Sequence, residues 1–278
     1  MPELPEVESI ADELRLYVVK HAITDVVTYP SKIFWYPERE ELVNSLVGRT
    51  VRRVQRKGKF LFFTLSNTDR LLVFHLGMTG HLLLVQPSVL LSPHTHLRLI
   101  LDTGKELRFD DTRSFGRILF GTEQELVERE VLPELGIEPF SSKFSPAYLA
   151  DHFAKSRKSV KAVLLDQSVV AGLGNIYVDE ACFLAGIYPG KPVEQVSSSE
   201  IAALHSAIQT ILQQAIQAKG TTFSDYRGLF GNKGGYQEEL RVYGREGNPC
   251  VLCKTPIRKT QIAGRGTHYC PRCQPEST

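Results

Sequence analysis

Net charge is what this chain most lacks. Across 278 residues, 33 lysines and arginines meet 31 aspartates and glutamates, and the balance of +2 singles out no class of partner. Long apolar runs are also missing. None approaches the ~18–20 residues of a membrane-spanning helix, which excludes a helical span and leaves no membrane partner to expect. The N-terminus carries no basic leader followed by an apolar stretch, so the reading is of an unexported, cytoplasmic protein. Cysteine is scarce until the end: four of the five fall in the last thirty residues. That placement excludes a disulfide scaffold spread over the fold.

What is present is a globular composition, 42% hydrophobic, long enough for about two domains. Split near residue 145, the first part carries a net −2 and the second +4, so the C-terminal half is the more basic. Residues 3–19 read as a helix, with Val7, Ile10, Ala11, Leu14 and Val18 at helical spacing. Short β-rich runs follow at 60–65, 70–76 and 96–102, separated by Asn, Asp, Gly and Pro, which is sandwich or barrel texture. From about Ser145 the pattern is helical. SPAYLADHF offers a cap serine and a first-turn proline, and the run from Ser197 has a capping box to Glu200 and ends at Gly220. The texture predicts an α+β, multi-domain chain.

Cys250-x2-Cys253, sixteen residues, then Cys270-x2-Cys273 is the spacing of a four-thiolate zinc site, with a pair of disulfides as the alternative. Four thiolates leave no open position for water, so the metal is expected to be structural. Between the pairs lies a basic segment with Arg258, Lys259 and Arg265 and no acid, either a nucleic-acid probe or a solvated loop. RTVRRVQRKGK (49–59) puts six basic residues in eleven, for phosphates or for a charged strand face, and 155–167 adds four more. Gly172-Leu173-Gly174 is no dinucleotide fingerprint, because Tyr177 stands where the third glycine belongs. It reads as a tight turn with Asn175 opening a helix, aimed at a phosphate or serving packing alone. The head of the chain, MPELPEVESI, carries more proline and glutamate than a helix start needs. Pro5, Glu6 and Glu8 suit a first turn, whereas Pro2 and Glu3 do not.

MPELPEVE, KGKFL (57–61), HLGMTG (75–80), DTRSFG (111–116), AGLGNIYVDE (171–180), ELRVYGREGNPC (239–250) and the RGTHYCPRC tail together resemble the formamidopyrimidine-DNA glycosylase family, over the whole chain and in family order. The resemblance implies an N-terminal β-sandwich flanked by helices (1–135), a linker (136–145), a helix–two-turn–helix domain (146–239) and a C-terminal zinc-finger β-hairpin (240–278) with one structural zinc. It implies a monomeric bacterial enzyme of base excision repair, nucleoid-associated when bound, acting on double-stranded DNA with oxidised bases or abasic sites held between its halves. By the same resemblance the expected activities are those of a glycosylase and AP lyase for 8-oxoguanine and ring-opened purines.

The resemblance also implies that removal of Met1 exposes the secondary amine of Pro2 as nucleophile, with Glu3 as general acid, Lys59 as a further catalytic residue, Glu6 organising the site and Glu180 supporting the buried N-terminus. The family's fillers of the gap left by an everted base fall here on Met78, Arg113 and Phe115. Lys59, Lys161, Asn175 and Arg265 match family positions that hold flanking phosphates, and His94 is expected to add a backbone contact. The glycine-rich run 219–237 matches the loop over the everted base and is expected to be mobile without DNA. Thr79 and Ser114 depart from relatives that carry an acid and a basic residue there. Two other readings remain: an endonuclease VIII-like enzyme for oxidised pyrimidines, against which Leu4 speaks, and a zinc-stapled DNA-binding protein that has lost catalysis.

Overall fold

The structure, a computed structural model, describes residues 1–223 and 226–276. Ser224 and Asp225, within the expected loop 219–237, and Ser277 and Thr278, at the end of the expected 240–278 segment, lie outside the described residues. The chain forms two compact units: residues 1–134 with 218–235, and the remainder.

The first unit begins with α1 (Leu4–Tyr17), which starts where Pro5 has no N–H to leave unpaired and a capping box between Glu3 and Glu6 satisfies N–H groups of the helix start. Its face of Val7, Ile10, Ala11 and Leu14 is fully buried, as is Val18 just beyond the helix. Then follow β1 (Ile23–Thr28), β2 (Phe34–Tyr36), α2 (Arg39–Leu46), β3 (Val51–Lys57), β4 (Phe60–Leu65), β5 (Leu71–His75), β6 (Gly80–Val85), β7 (Thr95–Leu101), β8 (Glu106–Asp111), β9 (Arg117–Gly121) and α3 (Glu123–Glu128). The strands make two sheets, β1-β7-β8-β6 and β2-β9-β5-β4-β3. All neighbours are antiparallel except β2 with β9. The sheets share one core, in which Phe63 and Phe74 of the larger sheet meet Phe109 of the smaller. This is the expected β-sandwich.

Helical texture carries the second domain on to 239, but packing groups 218–235 with the first unit. Tyr226 and Leu229 enter the sandwich core, the Leu229 carbonyl accepts from Leu84 N–H at the free edge of β6 (2.9 Å), and the Leu229 N–H donates to Glu13 (2.8 Å).

The second unit contains α4 (Pro146–Ala154), α5 (Val160–Leu164), α6 (Asn175–Leu184), α7 (Ser198–Gln217), β10 (Arg258–Ile262) and β11 (Arg265–Tyr269). The expected caps are present. Ser145 Oγ accepts from Tyr148 N–H (3.2 Å), and Ser197 and Glu200 exchange reciprocal bonds. The stretch read as a linker packs into this unit: Gly136 N–H donates to the Gln167 carbonyl (2.8 Å), and a Cβ at Gly136 would sit 2.4 Å from the Val169 oxygen. No helix among the described residues is long and apolar enough to cross a membrane.

Candidate active site and zinc centre

At the head of the chain Pro2, Glu3 and Glu6 are all buried. Glu6 uses both carboxylate oxygens: Oε2 accepts from Glu3 N–H (2.8 Å) and Oε1 from Thr221 N–H (2.7 Å). The helix start is thereby tied to the 219–223 segment, a partner the sequence did not suggest. Gly220 permits that approach, because its φ is +79° and a Cβ there would lie 2.7 Å from Glu6 Oε1.

Lys59, also buried, occupies the two-residue turn between β3 and β4 behind Gly58 at φ +60°. Beside it is a residue that sequence reasoning passed over. His75 pairs with Phe60 across the sheet, and burial, then the Arg117 and Lys59 cations, push it down to about 4. Its imidazole is therefore neutral near pH 7. The signal available was its place in HLGMTG.

Met78 and Phe115 are 40% and 47% exposed, high values for large apolar side chains. Arg113 is exposed and lays its guanidinium over the Phe115 ring, 4.7 Å from the centroid. The three residues leave neighbouring strand ends, β6 and β8, within the same unit. His94 is exposed, and its carbonyl accepts from Asp111 N–H (2.9 Å).

In the second unit Arg265 is exposed at the start of β11, beside the two-residue turn Ala263–Gly264, both at positive φ. The carbonyl of the next residue, Gly266, accepts from Asn175 Nδ2 (2.9 Å) and Lys161 Nζ (3.3 Å). Lys161, expected at a phosphate, is turned inward beside that carbonyl. It has no exposed surface, and its ammonium is paired with Asp179 at 2.6 Å. Asp179 in turn accepts from His268 N–H (2.8 Å), so one buried acid anchors the hairpin to α6. Removing one partner of such a pair leaves an uncompensated buried charge. Asp179→Ala should therefore cost ~3–5 kcal/mol of stability in denaturant unfolding of the zinc-loaded protein, and Lys161→Met added to it should restore most of the loss. Stability of the single variant within about 1 kcal/mol of the parent would refute the pairing, given that cost.

Glu180, fully buried on α6, accepts from the N–H groups of Arg241, Val242 and Tyr243 at 2.8–3.1 Å. Burial raises its carboxyl above the usual range, against the lowering pull of those donors. The basic run 49–59 divides between the two readings given for it. Arg49 donates to the carbonyls of Ser45, Ser66 and Asn67 and Arg56 pairs with Glu8, whereas Arg52 and Arg53 are exposed.

The four cysteines of the tail bring their sulfurs within 4.8 Å of one another. Cys250 and Cys273 are 3.9 Å apart and Cys253 and Cys270 3.4 Å. Tetrahedral Zn–S bonds of ~2.3 Å place sulfurs roughly 3.8 Å apart, so the set fits one zinc ion, and no disulfide is formed. Cys273 N–H points at Cys270 Sγ (3.4 Å), and buried Gln274 ties the knuckle to the Ile187 carbonyl (2.8 Å). Cys182 is a core residue, as expected.

Three family models match the chain in succession: the formamidopyrimidine-DNA glycosylase N-terminal domain over residues 1–118, the H2TH domain of the same enzymes over 135–227, and the zinc finger found in FPG and IleRS over 247–275. A formamidopyrimidine-DNA glycosylase from Geobacillus kaustophilus is 46% identical over 99% of this chain and all of its own length. One from Symbiobacterium thermophilum is 43% identical over 99% of this chain and 90% of its own. Among solved structures, a Lactococcus lactis FPG variant in complex with Fapy-dG-containing DNA superposes with a TM-score of 0.92 at 36% identity, covering 99% of this chain and all of the other. The FPG protein from Thermus thermophilus gives 0.89 at 38% over the full length of both. With matches that run from the proline-led head to the zinc knuckle, the chain belongs to the formamidopyrimidine-DNA glycosylase family.

Proposed function

We propose that this protein removes oxidised purines, 8-oxoguanine and formamidopyrimidines, from double-stranded DNA and then cleaves the strand, using the amine of Pro2. It is a DNA glycosylase of base excision repair with AP lyase activity. The observation that carries the proposed chemistry is the head of α1, where Pro2 and Glu3 are buried together and Glu6 fixes the Glu3 backbone.

Once Met1 is removed, the neutral Pro2 amine attacks the sugar C1′ and the bond from C1′ to the damaged base breaks. Glu3 delivers a proton to the ring oxygen as the ring opens, leaving an iminium between Pro2 and C1′. The iminium withdraws electrons from C2′. Loss of the C2′ proton expels the 3′ phosphate, and a second elimination expels the 5′ phosphate. Lys59 holds a flanking phosphate, and neutral His75 beside it leaves the lysine's own charge to meet that phosphate.

Met78, Arg113 and Phe115 fill the gap left by the everted base. Arg265 contacts a backbone phosphate, with Lys161 and Asn175 holding the Gly266 carbonyl behind it and His94 adding a contact. Glu180 acts by fixing the backbone of 241–243. The four-thiolate zinc supplies rigidity to the hairpin and no reacting water. The boundaries 1–135, 136–145, 146–239 and 240–278 follow this division of labour except at 218–235, which packs with the first unit, and the enzyme works as a monomer in the cytoplasm, on the nucleoid when bound.

Single-turnover excision on matched duplexes tests the substrate class. Duplexes with 8-oxoguanine should be processed at least about tenfold faster than those with thymine glycol, a modest discrimination for a polar pocket. The reverse order would favour the endonuclease VIII-like reading, and no excision of either would favour a protein that only binds.

A further inference from the structure

The two segments that carry the gap-filling side chains are held to each other by one buried carboxylate. β5 and β9 are neighbours in the larger sheet, with His75 opposite Arg117, and β6 and β8 are neighbours in the smaller, with Gly80 opposite Asp111. The connections 76–79 and 112–116 therefore cross from sheet to sheet side by side. They touch at backbone distance: a Cβ on Gly77 would lie 2.6 Å from the Phe115 carbonyl carbon. At this crossing sits Asp111, 1% exposed. Its Oδ1 accepts from Thr79 Oγ1 (2.5 Å) and Arg113 N–H (3.2 Å), and its Oδ2 from Gly116 N–H (2.7 Å). Arg113 N–H also lies 3.2 Å from Thr79 Oγ1. One carboxylate thus takes a donor from the Met78 segment and two from the segment bearing Arg113 and Phe115. The main chain of Asp111 is fixed as well, by the His94 carbonyl and by His96 Nε2 (2.8 Å).

We infer that Asp111 and Thr79 are positioning residues for base eversion: together they clasp the two crossings so that Met78, Arg113 and Phe115 enter the duplex as one unit of fixed spacing. The inference rests on the gap-filling reading given above. Three side chains on two separate connections must reach one gap of base-pair dimensions. Charge-assisted bonds in a water-excluded crossing hold that spacing more firmly than apolar contact, because they are directional. Thr79 stands where the sequence departs from relatives with an acid, and its hydroxyl is the only side-chain link in this set from the Met78 segment to Asp111.

Thr79→Val keeps the shape of the side chain and removes the hydroxyl, and Thr79→Ser keeps the hydroxyl. On a duplex with 8-oxoguanine opposite cytosine, single-turnover excision should slow about 10–100-fold in Thr79→Val, the scale of a displacement near 1 Å, and stay within about twofold of the parent in Thr79→Ser. On a single strand carrying a preformed abasic site there is no gap to fill, and both should cleave within about twofold of the parent, as expected when reacting groups are undisturbed. Arg113→Ala runs alongside. If it slows duplex excision and Thr79→Val does not, the clasp is refuted while the gap-filling reading stands. If Arg113→Ala excises at the parental rate, the gap-filling reading itself fails. If Thr79→Val slows both substrates equally, the residue supports the fold at large and the positioning role is overturned.

Discussion

With a tag left ahead of Met1, borohydride should link no protein to DNA carrying 8-oxoguanine, whereas the processed chain should be trapped through Pro2. Only an amine condensed at C1′ gives an iminium that hydride can reduce to a stable bond, and an amide nitrogen inside a chain has no free electron pair for that attack. The expected effect is loss of the covalent band to background. The fold should survive the extension, because Met1 is already 50% exposed and has room for residues ahead of it. Thermal melting of the tagged protein at the parental temperature is the control. Normal trapping by a chain that retains residues ahead of Pro2 would transfer the nucleophile to a lysine, with Lys59 first in line.

Chemistry and grip should separate just as sharply. Glu3→Gln is expected to keep its affinity for damaged duplex while excision falls about 10²–10⁴-fold, the usual cost of losing a general acid. Its amide has the same shape as the carboxylate, and the backbone bond from Glu3 N–H to Glu6 does not depend on the replaced group. Arg265→Ala should behave in the opposite way. It should weaken binding to damaged and undamaged duplexes alike and reduce the salt dependence by about one phosphate, because a backbone contact carries no base information. Equilibrium binding across a salt series and single-turnover excision, on both variants and the parent, give the comparison. Parental excision by Glu3→Gln, or parental affinity in Arg265→Ala, would remove that residue from the site.

What the sequence disclosed follows from how local each feature is. The helix read over 3–19 forms over 4–17, since the buried stripe and the Pro5 start are properties of neighbouring residues. The strand read over 60–65 is β4 residue for residue, and the zinc knuckle was legible because ligand spacing is itself a sequence quantity. Hidden from the sequence were groups whose meaning is set by a distant partner. Asp179 is one of two acids in an otherwise apolar helix until Lys161 and the hairpin close on it from 18 and 89 residues away. Asp111 belongs to a motif, yet its three donors come from two connections, the farthest donor 32 residues from it. The burial of Lys161 is hidden for the same reason: a lysine in a basic run reads as solvent-facing, and only the buried partner turns it inward. Glu6 was assigned an organising role, but its bond to Thr221 spans 215 residues.

The segment 218–235 bears on how the molecule is made. Tyr226 and Leu229 are part of the sandwich core, so that core is discontinuous along the chain. A ribosome that has finished Glu134 must add 95 more residues before Leu229 exists. At ordinary synthesis rates that is roughly 5–20 s, during which the sandwich waits with the edge of β6 uncovered and the Glu6 carboxylate without Thr221. Helices α4 to α7 emerge first. Completion of the catalytic half thus comes late in translation, after α4 to α7 and ahead of the zinc hairpin alone, and a chain truncated after the sandwich strands would present an open sheet edge ready to pair with another copy.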